Sequence, residues 1–377
     1  MTVCHNFKKG TIGDNQSLSN SLDMLTKEHE ITFTFFDIGG GDAIWIRFLG
    51  TYKKWHNILI DGGYGYAYKM AFGPLINHLL SHGEKIDLWV ITHIDRDHIG
   101  AVLGFIQDKK IKDKPQAAKE FWFNHSGTTV KTANGKLAVD DGIKFRKYLT
   151  DNGLLTKEAI TTSLAPSNVF GLSITILSPT PEKLAIADAM WLAEERGGKI
   201  GRSKEAADHA KFIEDLQDLV FSGDTDAVNG SSIGLFIKYK SISTLLLGDS
   251  HADVVLATLQ AHGYSEENPI SVEFMQLAHH GSKANTNPDL LAMINTENYV
   301  ITGNGIHNRH PDKETLVRLL VQKNRTTTPI QLHFPCNTTE LATMFSLDQN
   351  AFERYNFNCS YRRTPNGTSF QYLPIND

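Results

Sequence analysis

The run LWVITHIDRDHIG, residues 88–100, constrains the fold more than any other stretch of the chain. An apolar strand, expected over residues 86–92, ends directly on His93, Asp95, Asp97 and His98. Val102, Leu103 and Ile106 then continue at helical spacing. Four groups that bind metals or protons therefore crowd the point where a strand stops and a helix starts. A helical span, GPLINHLLSHG (73–83), precedes the strand, with Pro74 in its first turn and Gly83 as its stop. Strand, helix and strand in this order give a βαβ unit.

The same loading recurs at other strand ends. Strand 31–38 ends at Asp37 and the glycines 39–41, followed by Asp42. Strand 57–60 runs into Asp61-Gly62-Gly63, strand 243–248 into Asp249-Ser250-His251, and strand 272–278 into His279-His280-Gly281-Ser282. In open α/β sheets, sites form at the carboxyl ends of strands. Five such ends carrying Asp and His point to one shared edge. Further strands are expected at 43–49, 120–127, 172–179, 232–239, 298–304 and 329–334, and helices at 141–153, 252–262, 288–295 and 312–324. Residues 1–30 read as a polar lead-in and 181–222 as two helices inserted into the sheet pattern. Residues 335–377 read as a polar, aromatic tail of hairpin-like pieces packed on the domain.

Bulk properties remove several classes. Hydrophobic residues make up 41% of the 377 residues and charged ones 21%, which suits a packed core. The net charge of −5 gives no global footprint for nucleic acid, so such a site would have to be local. The three cysteines, Cys4, Cys336 and Cys359, form no CxxC pair and no disulfide framework. No run approaches the roughly 18 apolar residues that span a bilayer, and the first residues have no apolar signal region. The expectation is a cytoplasmic protein with no membrane partner.

Imidazoles and carboxylates at an open site suit Zn²⁺, and a carboxylate-richer mixture also admits Mn²⁺ or Fe. A carboxylate between two cations can bridge them, and two metals roughly 3.5–4 Å apart can clamp an in-line displacement. A metal on His93 and a second on Asp97 and His98 would need only Asp249 between them.

Here a resemblance enters. THIDRDHIG resembles the HxHxDH signature of metallo-β-lactamase-fold hydrolases, with aspartate in the second histidine position. FFDIGGGDAIWIRF, ILIDGG, LLLGDS and LAHHGS, in that order, resemble the soluble hydrolase domain of ComEC-type DNA-uptake proteins and its stand-alone bacterial relatives. RHPDKETL (309–316) is similar to that family's late GHP segment. The resemblance covers about residues 31–320 and implies an αββα sandwich, two mixed sheets with helices outside, over residues 31–334. It implies two divalent metal ions, Zn or Mn. His93 and Asp95 would hold the first, and Asp97, His98 and His279 the second, with His280 as the rival of His279. Asp249 would bridge them. Asp37 and Asp61 match supporting aspartates, and Asp37 is the one expected to orient a ligand histidine through its other N–H.

The function implied is hydrolysis of phosphodiester bonds by a metal-bound hydroxide, with DNA as substrate. Lys283, Arg309 or His310 would contact a phosphate oxygen or assist the leaving group. Stand-alone proteins of this type resemble nuclease-like effectors of anti-phage defence, in which a partner ATPase does the sensing. The departures are GGG at 39–41 in place of GQG, His251 where relatives carry an acid, and Asp95 for histidine, which makes the first metal site richer in oxygen. They argue against β-lactam or glyoxalase chemistry.

Plainer readings stand beside these. Asp97 is a good residue for a helix start, Asp61 and Asp249 suit turns, and His279-His280 suit a loop entry. His125 admits a cap or a substrate contact. His310 reads first as structural, and Lys283 and Arg309 as solvated charge. The 181–222 segment reads as a solvated insertion or as a lid. Two other function classes remain open at this stage: a hydrolase of small phosphodiesters or other esters, and a metal-binding subunit without catalysis. A positive groove leading to the metals would mark a nuclease, and a closed pocket under the insertion would mark a small-molecule enzyme.

Overall fold

The computed structural model of the chain describes residues 29–125, 137–156, 158–195, 207–362 and 367–373. The lead-in over 1–28 and the middle of the 181–222 segment lie outside the described residues. Sixteen strands build the rest. They are β1 (Ile31–Phe36), β2 (Ala43–Leu49), β3 (Trp55–Asp61), β4 (Leu88–Ile91), β5 (Phe121–Phe123), β6 (Ser167–Val169), β7 (Leu172–Ser178) and β8 (Gly234–Tyr239). Then follow β9 (Ile242–Leu246), β10 (Ile270–Ser271), β11 (Phe274–Gln276), β12 (Ile294–Asn295), β13 (Asn298–Val300), β14 (Ile330–Phe334), β15 (Phe357–Tyr361) and β16 (Gly367–Tyr372).

Two large sheets result. One runs β16-β1-β2-β3-β4-β5, the other β15-β14-β13-β11-β9-β8-β7-β6. Both are mixed: β3, β4 and β5 pair in parallel, as do β9, β11, β13, β14 and β15, while the remaining pairs are antiparallel. Period-two alternation explains why they stack. Phe33, Phe35, Ile44, Ile46, Ile58, Ile60, Leu88 and Val90 of the first sheet meet Ile174, Leu235, Ile237, Leu246, Phe274 and Val300 of the second in one buried cluster. Their neighbours face outward. Trp45, Leu59, Trp89 and Ile91 pack under helices α1 (Gly73–Ser81), α2 (Arg96–Gln107) and α3 (Leu137–Asp151). Leu245, Met275, Tyr299 and Leu332 pack under α5 (Ala252–Ala261) and α6 (Lys313–Val321), where α4 is Pro181–Glu195. Strands buried on both faces read as continuous apolar runs, which is how LWVI looks in sequence. The order of layers is helix, sheet, sheet, helix.

Two readings of the sequence need correction. Among the described residues the two halves of the tail do not pair with each other: β15 extends the second sheet beside β14, and β16 covers the outer edge of β1. An uncovered edge strand is a template for aggregation, so each half of the tail takes an edge instead of forming a hairpin. The 181–222 segment is not simply solvated. Leu184, Ala187 and Trp191 of α4 are buried, and Trp191 joins the core under α3. Ile213 and Leu216 join the core beneath α5 and α6. Asp208 accepts from the backbone N–H of Lys313 and Glu314 at 2.8 Å each, which caps α6.

Phe274 sits where the sheets meet, with its ring 4.5–5.6 Å from those of Phe33, Phe35 and Phe370. Phe274→Ala is expected to cost roughly 3–5 kcal/mol of unfolding free energy in urea titrations. A loss below about 1 kcal/mol would contradict its place in the inter-sheet core.

Candidate metal centre

Three segments deliver the polar cluster to one edge of the sandwich. His93 leaves the end of β4, and Asp95 occupies the N-cap position of α2. Asp97 and His98 lie in the first turn of α2 and are buried. Asp249 follows β9 after Gly248, whose φ is +51° and where a Cβ would come within 2.5 Å of Ser232 Oγ. Glycine alone fits there comfortably. The Asp249 N–H donates to Ser232 Oγ at 2.9 Å, which fixes the turn. His279 and His280 follow β11 in consecutive left-handed conformations, φ 51° and 56°.

The Asp249 carboxylate is the meeting point. Its Oδ2 lies 3.5 Å from His93 Nε2 and 3.6 Å from His279 Nε2. Its Oδ1 lies 3.4 Å from His98 Nε2 and 3.8 Å from His280 Nε2. His280 Nε2 is also 3.4 Å from Asp97 Oδ2, and His93 Nε2 is 4.0 Å from Asp95 Oδ2. One oxygen thus faces His93 and His279 and the other His98 and His280; His93, His98 and Asp249 bring donor atoms within 4.8 Å of one another, as do Asp97, His98 and His280. The expected grouping set His279, with His280 as its rival, beside Asp97 and His98; in the structure His280 Nε2 is the one near Asp97 Oδ2 and His98 Nε2. The two left-handed residues turn neighbouring rings 72° apart, so one histidine goes to each side.

Every imidazole is held from behind. His98 Nδ1 donates to Asp61 Oδ2 at 2.7 Å. His280 Nδ1 has Asp42 Oδ1 at 3.2 Å and Thr302 Oγ1 at 3.0 Å. His279 Nδ1 has Asn285 Oδ1 at 3.1 Å, with Asp224 behind at 3.6 Å. Thr92 Oγ1 donates to Asp61 at 2.7 Å and so accepts from His93 Nδ1 at 3.0 Å. With Nδ1 carrying the proton, each Nε2 presents a lone pair inward.

The centre fits a pair of cations. His93 Nε2 and Asp249 Oδ1 are buried and make no hydrogen bond. The Nε2 atoms of His98 and His280 face each other at 3.3 Å, so a proton or a cation has to lie between or beside them. The electrostatics agree. Burial and the neighbouring His98 push the His93 pKa down to about 3, so it is a neutral ligand. Burial opposes charge on His279 and His280, yet Asp249, with Asp224 for the first and Asp42 for the second, raises them to about 9 and about 10. Burial likewise opposes charge on Asp249, and the surrounding histidines still hold its pKa well below the ordinary value. Without metal the pocket collects protons; with metal those protons must leave.

Other expected residues fall as follows. Asp61 is fully buried and orients His98, while Asp37 pairs with Arg362 at 3.2 Å and accepts from the Gly39 N–H. The orienting role expected of Asp37 belongs to Asp42 and Asp61. His310 lies beside His279, ring centroids 4.9 Å apart, with Nδ1 3.3 Å from Asp312. Lys283 donates its N–H to Asp312, and its charge acts on Asp312 and Glu314 at the start of α6. His251 contacts Asp226 O and Lys183 at the start of α5. His125 packs its ring near Phe123. Sequence reasoning missed Asp224, Asn285 and Gln276. Gln276 accepts from the N–H groups of Leu247 and Gly248 and donates to Asp42 at 2.7 Å, tying the two sheets together behind the site. Only the acidic SGDTD run at 222–226 carried any signal.

Two outcomes are expected. Metal affinity should rise as pH increases from 6 towards 9, because His279 and His280 must lose protons, and binding should release protons in calorimetry across buffers of different ionisation enthalpy. An affinity independent of pH would contradict the arrangement. Asp61→Asn and Asp42→Asn should each weaken metal binding roughly 10–100-fold without unfolding the chain, as read by metal titration and circular dichroism.

A search of curated proteins gives no match for this chain. Among solved structures, CmlA, a diiron beta-hydroxylase from Streptomyces venezuelae, is similar at 10% identity with a TM-score of 0.40, covering 92% of this chain and 55% of that one. A mutant of CmlA gives 11% identity and a TM-score of 0.37, over 92% and 54%. The chain thus spans about half the length of these structures. Residues 40–174, which carry Asp42, Asp61 and the whole His93–His98 run, match the model of the Metallo-beta-lactamase superfamily, and the mixed two-sheet architecture is consistent with that fold.

Proposed function

We propose that this chain is a dinuclear metal-dependent hydrolase of phosphodiester bonds, with DNA as its substrate. The observation that carries the reading is the splitting of one buried carboxylate between two histidine pairs. Asp249 turns one oxygen to His93 and His279 and the other to His98 and His280. That is the donor set for two cations sharing a bridge, and Asp95 and Asp97 add one carboxylate to each side. Nitrogen and oxygen donors in this ratio suit Zn²⁺ or Mn²⁺. Two divalent cations bound there would acidify water and absorb charge developing on phosphate oxygens.

The chain's own residues do the rest. Asp61, Asp42, Asn285 and Thr92 keep the four rings in one tautomer and orientation. Asp249 fixes the spacing between the two histidine pairs. His310, beside His279 and 3.3 Å from Asp312, is placed to hold or move a proton at the edge of the cluster. Lys283, whose charge acts on Asp312 and Glu314 at the α6 end of the site, would contact a phosphate oxygen or assist the leaving group. DNA and an activating ATPase or sensor come from the resemblance to ComEC-type domains. Among the described residues, no helix is long and apolar enough to cross a membrane.

A second reading, a hydrolase of a small phosphodiester or another ester, has one observation in its favour. A cavity of about 560 Å³ lies under α4, lined by Lys183, Ile186, Phe221, Asp224 and His251. Its size suits a small ligand, and Asp224 joins it to His279.

The test is cleavage of linear and circular DNA, single- and double-stranded, with Mn²⁺, Zn²⁺ or Mg²⁺ added. Cleavage is expected, and Asp249→Ala should abolish it by more than about a hundredfold, beyond the loss typical of residues that only orient a ligand. Cleavage that survives in the variant, or DNA left intact beside rapid turnover of small diesters, would displace the nuclease reading.

A further inference from the structure

We infer that Tyr64, Tyr66 and His307 form a stacking platform for a nucleobase beside Asp97, and that the strand it receives is single. This rests on the phosphodiesterase reading and names its substrate more narrowly.

Three rings converge from both layers of the sandwich. Tyr64 and Tyr66 stand on the loop after β3, stacked with centroids 5.9 Å apart and planes 17° apart. His307, on the loop after β13, lies 5.4 Å from Tyr64. None of the three belongs to an apolar core cluster. Tyr66 is 43% exposed and the adjacent Ile306 53%. Tyr66 and His307 are exposed and Tyr64 between them is half-buried, so the stack offers ring faces to a ligand outside any core.

Their placement beside the metal centre is enforced by glycines. Gly100 in α2 lies so close to the 63–65 backbone that a Cβ would approach it to 2.3 Å, which lays the tyrosine loop on the helix bearing Asp97. A Cβ at Gly39 would come within 3.2 Å of Tyr66 Oη, one at Gly40 within 3.4 Å of His307, and one at Gly41 within 2.3 Å of Asp97 O. The glycine run at 39–41 thus lets both rings and Asp97 close on one another. The Tyr64 hydroxyl is a donor able to meet a phosphate oxygen.

A cavity of about 840 Å³ meets the tyrosine loop at Gly65, and its lining includes Lys69, Lys109 and Lys110 together with Tyr68 and Asp108. Rings for base faces followed by cations for backbone phosphates are the combination that grips single strands. In a duplex the bases already stack on each other and cannot reach a platform without being unstacked.

The test compares the manganese-loaded enzyme with Tyr66→Ala and Tyr66→Phe. Two substrates are used: thymidine 5′-(p-nitrophenyl) phosphate and methyl p-nitrophenyl phosphate. Binding of a fluorescein-labelled ten-nucleotide thymidine strand is followed by anisotropy. Tyr66→Ala should raise KM for the nucleoside diester and weaken strand binding, each about tenfold, and leave the methyl diester within about twofold. Tyr66→Phe, which keeps the ring, should behave as the parent. Equal loss on both esters, or no loss on either, overturns the platform. If the parent enzyme cleaves neither ester, the phosphodiesterase reading fails by itself, and strand binding then decides the platform. Weakening confined to Tyr66→Ala upholds it, and absent or unchanged binding removes it.

Discussion

A buried carboxylate surrounded by four imidazoles cannot be left to itself. Asp249 sits almost without solvent, and its two oxygens face nitrogen atoms that lack protons when their rings are tethered from behind. Positive charge has to come from somewhere, either as protons on His279 and His280 or as metal. Much of the surrounding architecture serves that requirement. Asp61, Asp42, Asn285 and Thr92 hold the rings, Gln276 and Ser232 hold the loop of Asp249, and glycines at 39–41, 62–63 and 248 allow the backbones to close in.

The two sheets make this possible by ending their strands together. Apolar side chains bury both faces of each sheet. The candidate ligands lie past the last strand residues, where the chain turns out of the core. His93, Asp249 and His279 all occupy that position. The α2 start contributes differently: Asp97 and His98 lie in the first helical turn, where an acidic residue is also stabilised by the helix dipole.

Much of this was legible because it follows from local rules. An apolar run that ends in His-x-Asp-x-Asp-His announces both a strand and a site, and the same pattern at Asp249 and His279 places them on one edge. What could not be read was which carboxylate turns inward. Asp37 and Asp42 flank the same glycine turn, and only the positive φ angles at residues 39–41 send Asp42 to His280 and leave Asp37 with Arg362. The division of His279 and His280 between the two pairs depends on two left-handed residues that no periodicity signals. Gln276 and Asn285 look like ordinary polar residues in sequence, since their bonds join segments far apart in the chain. The tail misled for a related reason. Its two halves look like partners, but each pairs at the edge of a different sheet.

Gln276 has a wider consequence. It belongs to the second sheet, and its amide group reaches Asp42 in the first while gripping the backbone that presents Asp249. Four of the candidate ligands, His93, Asp95, Asp97 and His98, belong to the first layer, and Asp249, His279 and His280 belong to the second. A cation bound among them is therefore a rivet through the whole sandwich. At a free concentration a thousand times its dissociation constant, each such ion would add about 4 kcal/mol to the folded state. Chelation would then loosen the grip of one layer on the other as well as empty the site.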